Sequence, residues 1–189
     1  MATFATLKAD IAAWMRRGDL TSVIPSLVAL AETEIFQTHN TPLRVREMET
    51  TATLTVTDLI ATVPDDYLDG RYIKLANETV LNYLPANDWN SSKYSFYTVV
   101  GRTIMLPTGR SGDLTLVYWA RPANLAVDAD TNSVLNAYYG AYLKAALKQA
   151  LLYVKDGAAA VVAQQELDAI LSGANSKPVI AGSLQVRAG

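Results

Sequence analysis

Several absences narrow the chemistry open to this chain. It has 189 residues and no cysteine, which excludes disulfides, thiolate metal sites and cysteine nucleophiles. It has one histidine, His39, and a triad or a histidine metal cluster needs partners that no second histidine or cysteine can supply. His39 falls where an expected helix ends, a place where a cation suits the helix dipole, so it reads as structural. No uninterrupted apolar run reaches about 18 residues, so no transmembrane helix is expected. The opening MATFATLKADIAAWMRRGD lacks the basic-then-apolar order of a signal peptide, with Lys8 and Asp10 interrupting it, and the expectation is an intracellular product. Charge of one sign is scarce too: 16 basic against 18 acidic residues give a net charge of −2, no basis for general attraction to nucleic acid or membrane. No GxGxxG, GxxxxGK[ST] or GxSxG motif occurs, and Gly109-Arg110-Ser111-Gly112 lies between two expected strands, where a hairpin turn is simpler than a phosphate loop.

What is present is apolar and periodic. Half the residues are hydrophobic, too many for a disordered chain and enough for one core with a small insertion. From Asn132 to Lys155, Leu135, Tyr138, Tyr139, Tyr142, Leu143, Ala146, Leu147, Ala150, Leu151 and Val154 recur at three-and-four spacing, which predicts a helix with one broad buried stripe. Asn132 or Ser133 caps its start, and Gly157 stands where a left-handed C-terminal cap is expected. A partner helix follows over 158–171. Near the N-terminus, Leu7, Ile11, Trp14 and Met15 share one face of a helix over 3–17 that Gly18 ends. Ile24, Leu27, Val28, Ala31 and Ile35 give a second helix its face, with Pro25 tolerable in the first turn. Glu32 and Glu34 read as solvated or paired to arginines.

After Asn40-Thr41-Pro42 the period changes to two. Thr51 to Thr57 alternates threonine with apolar residues, as a half-buried strand does. Further short strands are expected over 71–75, 94–100, 103–106 and 113–120, with Gly101-Arg102 as a tight turn, together forming an antiparallel meander. Asp65, Asp66 and Asp69 form the densest acidic group, and Asp128 with Asp130 a weaker pair. Neither has the ordered spacing of a calcium loop, and turn or helix caps explain both. Ser172 to Gly189 has no helical period and cannot bury much on its own chain.

These patterns predict an α+β, mainly α chain: a four-helix bundle of two N-terminal and two C-terminal helices, a small antiparallel β-sheet inserted between the pairs, and an extended C-terminal arm. The expected segments are 1–42 (first helix pair), 43–130 (inserted β subdomain), 131–172 (second pair) and 173–189 (arm). No catalytic, cofactor-binding or metal-binding residue is expected.

The order of several segments resembles the head-to-tail adaptor (connector) family of short-tailed phages, found beneath the portal. The matching elements are Leu7, Ile11, Arg17-Gly18-Asp19-Leu20, Ile24-Pro25, Leu30-Ala31-Glu32-Thr33-Glu34-Ile35, Leu43-Arg44, Val63-Pro64-Asp65-Asp66-Tyr67-Leu68, Leu116-Val117-Tyr118-Trp119-Ala120-Arg121-Pro122 and the helix from Asn132. Two positions depart from the family: His39-Asn40 stand where a basic residue usually precedes Leu-Arg, and Val63 and Tyr67 replace Leu and Phe. The resemblance implies a homo-oligomeric ring, usually of twelve subunits, under the portal protein. Such a ring extends the DNA channel without binding DNA specifically, touches no membrane, and docks a tail or nozzle protein. It places the protein in the virion neck, and in the host cytoplasm during assembly. It implies no catalysis. Val179, Ile180, Leu184 and Val186 would be the arm's docking residues, and Tyr138 and Tyr142 possible subunit contacts. The alternatives are a tail-completion or neck protein elsewhere in the virion, and a small enzyme using Asp65, Asp66 or Asp69 with a hard metal.

Overall fold

The computed structural model describes residues 1–77, 79–110 and 112–176. The chain forms two compact units: a helical unit of Met1–Glu47 with the segment from Ala123 onward, and a sheet unit of Met48–Pro122.

Five α-helices are present among the described residues: α1 (Phe4–Met15), α2 (Ile24–Thr33), α3 (Ser133–Ala137), α4 (Tyr139–Tyr153) and α5 (Gly157–Asn175). Thr3 starts α1 with a reciprocal cap, its hydroxyl accepting from the Thr6 backbone N–H while the Thr6 hydroxyl accepts from that of Thr3. The α1 amides of Phe4 and Ala5, which have no partner inside a helix, donate to the carbonyls of Asp130 (2.8 Å) and Asp128 (3.1 Å). Phe4, Leu7 and Ile11 face inward. α2 carries Pro25 in its first turn and continues into a wide π turn over Glu34–Thr38, where the His39 N–H reaches back to the Glu34 carbonyl.

The expected single helix from Asn132 is two helices. The Asn132 side chain caps α3, accepting from Leu135 N at 2.7 Å. The backbone then leaves helical geometry at Tyr138 (φ −129°, ψ 43°), and the consecutive tyrosines take different partners: Tyr138 bonds Glu47 and the Tyr139 hydroxyl donates to Asp10. α4 packs against α1, α2 and α5. Its buried Ala141, Ala145, Ala146 and Ala150 let those helices approach closely, while Tyr142 and Leu147 fill the space between them. Each fully buried large side chain of this kind contributes roughly 1.5–3 kcal/mol. Lys155, at φ +62°, takes the left-handed position that ends α4, so Gly157 opens α5 and the Asp156 carboxylate caps it.

The sheet unit has seven strands: β1 (Glu49–Leu54), β2 (Ile60–Thr62), β3 (Tyr67–Leu75), β4 (Val80–Tyr83), β5 (Phe96–Val100), β6 (Thr103–Met105) and β7 (Leu114–Ala120). Their spatial order is β1-β7-β3-β4-β5-β6-β2, antiparallel except for the parallel pair β4–β5. β7 lies between β1 and β3, with Leu114, Leu116 and Tyr118 in a core shared with Ala61 of β2, Ile73 of β3, Leu81 of β4, Tyr97 of β5 and Ile104 of β6. Since strands from both halves of the order feed one core, the sheet curls around it. Gly101 takes φ +61° in the two-residue β5–β6 turn.

The expectation of a four-helix bundle with a small antiparallel sheet is therefore wrong on both counts. The long helix is interrupted at Tyr138, and the sheet is seven-stranded and mixed, with its own core. β2 and β4 are too short for a two-residue period to show, and parallel pairing carries no local signal.

Candidate assembly surface

Apart from Asp69, which is exposed on β3, the acidic and histidine residues that sequence singled out make structural contacts. Asp65 pairs with Arg102 (2.6 Å) at an open surface, and Asp66 accepts the Tyr118 hydroxyl (2.9 Å). Burial, and then that hydrogen bond, push the Tyr118 hydroxyl up to about 12. Among the described residues no group of three or more His, Cys, Asp or Glu could hold a metal ion. The Asp130 carboxylate accepts the backbone N–H groups of Val127 and Ala126, which hold it below the usual carboxylate range, and Asp128 pairs with Lys8. The Asp130 carboxylate thus shapes the segment before α3, and the Asp128–Lys8 pair ties that segment to α1.

His39 is a structural joint. Its Nδ1 accepts the Thr41 backbone N–H at 3.0 Å, which puts the proton on Nε2, and Nε2 donates to Asp168 of α5 at 2.8 Å. The Gln164 amide, then His39, hold the Asp168 carboxylate below its usual range. Next to this joint lies Glu34, buried rather than solvated. Lys148 of α4 donates to one of its carboxylate oxygens and Gln149 to the other (2.9 Å), and Lys148 also reaches Gln164 (2.7 Å). Glu32 is buried as well and accepts the Leu125 backbone N–H. Glu34 is thus paired with a lysine rather than with an arginine. At the far end of α5, Asn175 accepts from Arg44 N (2.9 Å) and donates to the Pro42 carbonyl (3.1 Å), which fixes where the chain leaves the helix.

Of the two tyrosines expected at a subunit contact, Tyr142 is fully buried, edge-on to Phe36 with ring centroids 6.0 Å apart, and hydrogen-bonded through its hydroxyl to Asn132. Tyr138 is half-buried. Val179, Ile180, Leu184 and Val186 lie outside the described residues.

Sequence reading missed an apolar surface on the helical unit. Trp14, expected on the buried face of α1, is 59% exposed, although it continues the Phe4–Leu7–Ile11 stripe by one step. The Lys144 ammonium lies 4.4 Å from the Trp14 ring centroid and pairs with Glu166 at 2.7 Å. Between them, Leu147 and Leu151 of α4 and Val162 of α5 line an open groove of about 330 Å³. On the other side of α5, Leu152 and Val161 flank a second hollow of about 210 Å³. Leu152, Tyr153, Val161 and Val162 are each at least half exposed. A cluster of large apolar side chains left in water around one helix end is how an association surface looks before its partner arrives. The only chemistry it offers is apolar contact with one salt bridge at its rim. No helix among the described residues is long and apolar enough to cross a membrane.

No curated protein matches the chain significantly. The family model for the SU10 adaptor protein matches residues 2–187, across both compact units and in keeping with the resemblance to phage head-to-tail adaptors, and the chain belongs to the SU10 adaptor protein family.

Proposed function

We propose that this chain is a structural head-to-tail adaptor of a tailed phage, acting by assembly rather than catalysis. Copies of it form a ring under the portal, usually of twelve, that extends the DNA channel and presents a docking face to a tail or nozzle protein. The family match over residues 2–187 carries this reading. The near-balanced charge, net −2, suits the wall of a DNA passage, which must not hold its cargo. The protein works in the virion neck, after assembly in the host cytoplasm.

Tyr138, half-buried, is the candidate for contact with a neighbouring copy. Tyr142, buried against Phe36, supports the subunit from within. Val179, Ile180, Leu184 and Val186 dock on the portal. Since α5 runs to Asn175, the arm is tested by truncation after Ser176 rather than within the helix. Portal rings should then fail to retain the adaptor on co-sedimentation, while the adaptor's helical circular dichroism and melting temperature stay unchanged. Undiminished retention would refute the arm assignment.

A further inference from the structure

Two exposed apolar features stand beside unpaired charges of opposite sign. One is the groove beside Trp14, walled by Leu147, Leu151 and Val162. The other is the hairpin tip ahead of β2, where Ile60 is 45% exposed next to an exposed Asp58. We propose that the groove of one copy receives the hairpin tip of a second copy, with Ile60 entering beside Trp14 and Asp58 meeting Arg16 and Lys155. The inference rests on the reading of the chain as a ring subunit and names the surfaces by which neighbours join.

The charges on the groove side are free. Arg16 directly follows Trp14 and Met15 of the groove wall, and Lys155 lies one turn beyond Leu151. Each stands in the left-handed position that ends its helix, at φ +51° and +62°. Each is exposed and, among the described residues, has no side-chain hydrogen bond or salt bridge. A helix end favours a cation but supplies no counter-ion. The neighbouring cations are already used, Lys144 on Glu166 and Arg17 on Asp19. Every side-chain carboxylate of the helical unit also has a hydrogen-bond or ion-pair partner. The unit therefore has an apolar groove with a positive rim and no acid of its own to meet it.

The hairpin tip is the complement. Asp58 has no side-chain partner among the described residues, and an aliphatic side chain stands two residues away. The tip is also rigid. Thr57 and Ile60 exchange both backbone hydrogen bonds at 2.9 Å around Asp58 and Leu59. Those two residues take φ +51° and +67°, as a two-residue hairpin turn requires. Leu59 packs on the sheet core, and its carbonyl accepts the Leu106 N–H at 2.8 Å. Asp58 and Ile60 are thus held in water before a partner arrives, and docking a rigid tip costs little conformational entropy. Folding of the sheet accounts for Leu59 and leaves Ile60 without a role.

Tip and groove are different patches, so the contact runs head to tail, the kind that closes into a ring. The apolar insertion holds it, and the charges set its register.

The test reverses the charge on one side at a time. One variant carries Arg16→Glu and Lys155→Glu, the other Asp58→Lys; all three positions are exposed, so circular dichroism should be unchanged. Glutaraldehyde crosslinking reads neighbour contact as a ladder of multimers, both on portal rings and in the free protein at high concentration. Either variant alone should lose its ladder about fivefold. An equal mixture of the two should regain most of it, because the reversed groove of one accepts the reversed tip of the other and the native halves serve the next contact. Ile60→Ser, which removes the apolar anchor and leaves every charge, should weaken the ladder about tenfold.

A ladder that survives these variants would overturn the proposal. So would a loss that mixing fails to restore, which would place the charges in contact within one chain. Retention of the unaltered protein on portal rings, measured in the same samples, judges the adaptor reading separately: retention with a ladder indifferent to the variants removes only this contact.

Discussion

In the helical unit the carboxylate of Glu34 is 8% exposed and both its oxygens have partners, whereas in the sheet unit the hydroxyl of Tyr97 is fully buried and has none. Glu34 lies where α2, α4 and α5 converge, and a buried charge persists there only because Lys148 and Gln149 meet it. Tyr97 is held by packing. Its ring lies edge-on to Tyr83 at 5.9 Å, and its oxygen is pressed toward Gly70 of β3, where a Cβ would stand 2.6 Å away. Burial pushes its hydroxyl well above the ordinary tyrosine range, so it stays neutral and costs one unmade hydrogen bond rather than a buried charge. The helical unit is fastened by polar joints between distant helices, and the sheet unit by shape around tyrosines.

If that contrast holds, the largest single loss comes from breaking the ionic joint. Glu34→Ala leaves the Lys148 ammonium with only Gln164, and should cost about 2–4 kcal/mol, read as a lower melting temperature of the helical signal. Replacing both partners (Glu34→Gln with Lys148→Met) should recover most of it, because no buried charge remains. A double variant as unstable as the single one would remove the joint from the account.

A smaller effect is expected in the sheet. Gly70→Ala drives a methyl into the Tyr97 oxygen and, at 2.9 Å, that of Tyr67, and should cost about 1–3 kcal/mol by overpacking. Tyr97→Phe alone should change stability by less than about 0.5 kcal/mol, since the hydroxyl has no partner to lose. In that background Gly70→Ala should cost measurably less in denaturant unfolding. Equal costs in both backgrounds would show that Tyr97 is not the obstacle.

The smallest effect belongs to the His39–Asp168 joint. The folded protein holds the Asp168 carboxylate below its usual range. Its contribution is therefore present above the unfolded value of about 4 and lost as pH falls through the folded one. The side chain is 52% exposed, so solvent screening limits the contribution to about 0.3 kcal/mol. Asp168→Asn should slightly flatten the fall of melting temperature between about pH 4.5 and 3; an unchanged slope would place the acid sensitivity elsewhere.

The same contrast explains how much could be read from the sequence. Helix signals are local. The Thr3 and Asn132 caps, Pro25 in the first turn of α2, and the stripes of α1, α2 and α4 all stand in the chain as written. β1 and β7 are visible because alternation in Thr51–Leu54 and Leu114–Tyr118 lasts long enough to register. Where structure depends on residues far apart, the reading fails. The left-handed helix ends fall on Arg16 and Lys155 rather than on Gly18 and Gly157, because packing sets where each helix stops. Asp58 and Leu59 both take positive φ in the turn before β2 without glycine, Leu59 gaining contact with the sheet core in exchange. Glu32 and Glu34 carry no sequence mark of burial, and the Trp14 groove exists only once α1, α4 and α5 meet. Tyr138 and Tyr142 share one stripe in sequence, yet the break at Tyr138 separates their surroundings.

The central claim is that this SU10-family chain becomes a ring by meeting a portal. Its most direct test is the mass and image of the purified protein alone and mixed with portal rings, by light scattering and electron microscopy. Alone, it should remain a monomer or weak oligomer; with portal it should form a closed ring at one end of the channel. A stable ring formed without portal, or no association with it, would contradict the account.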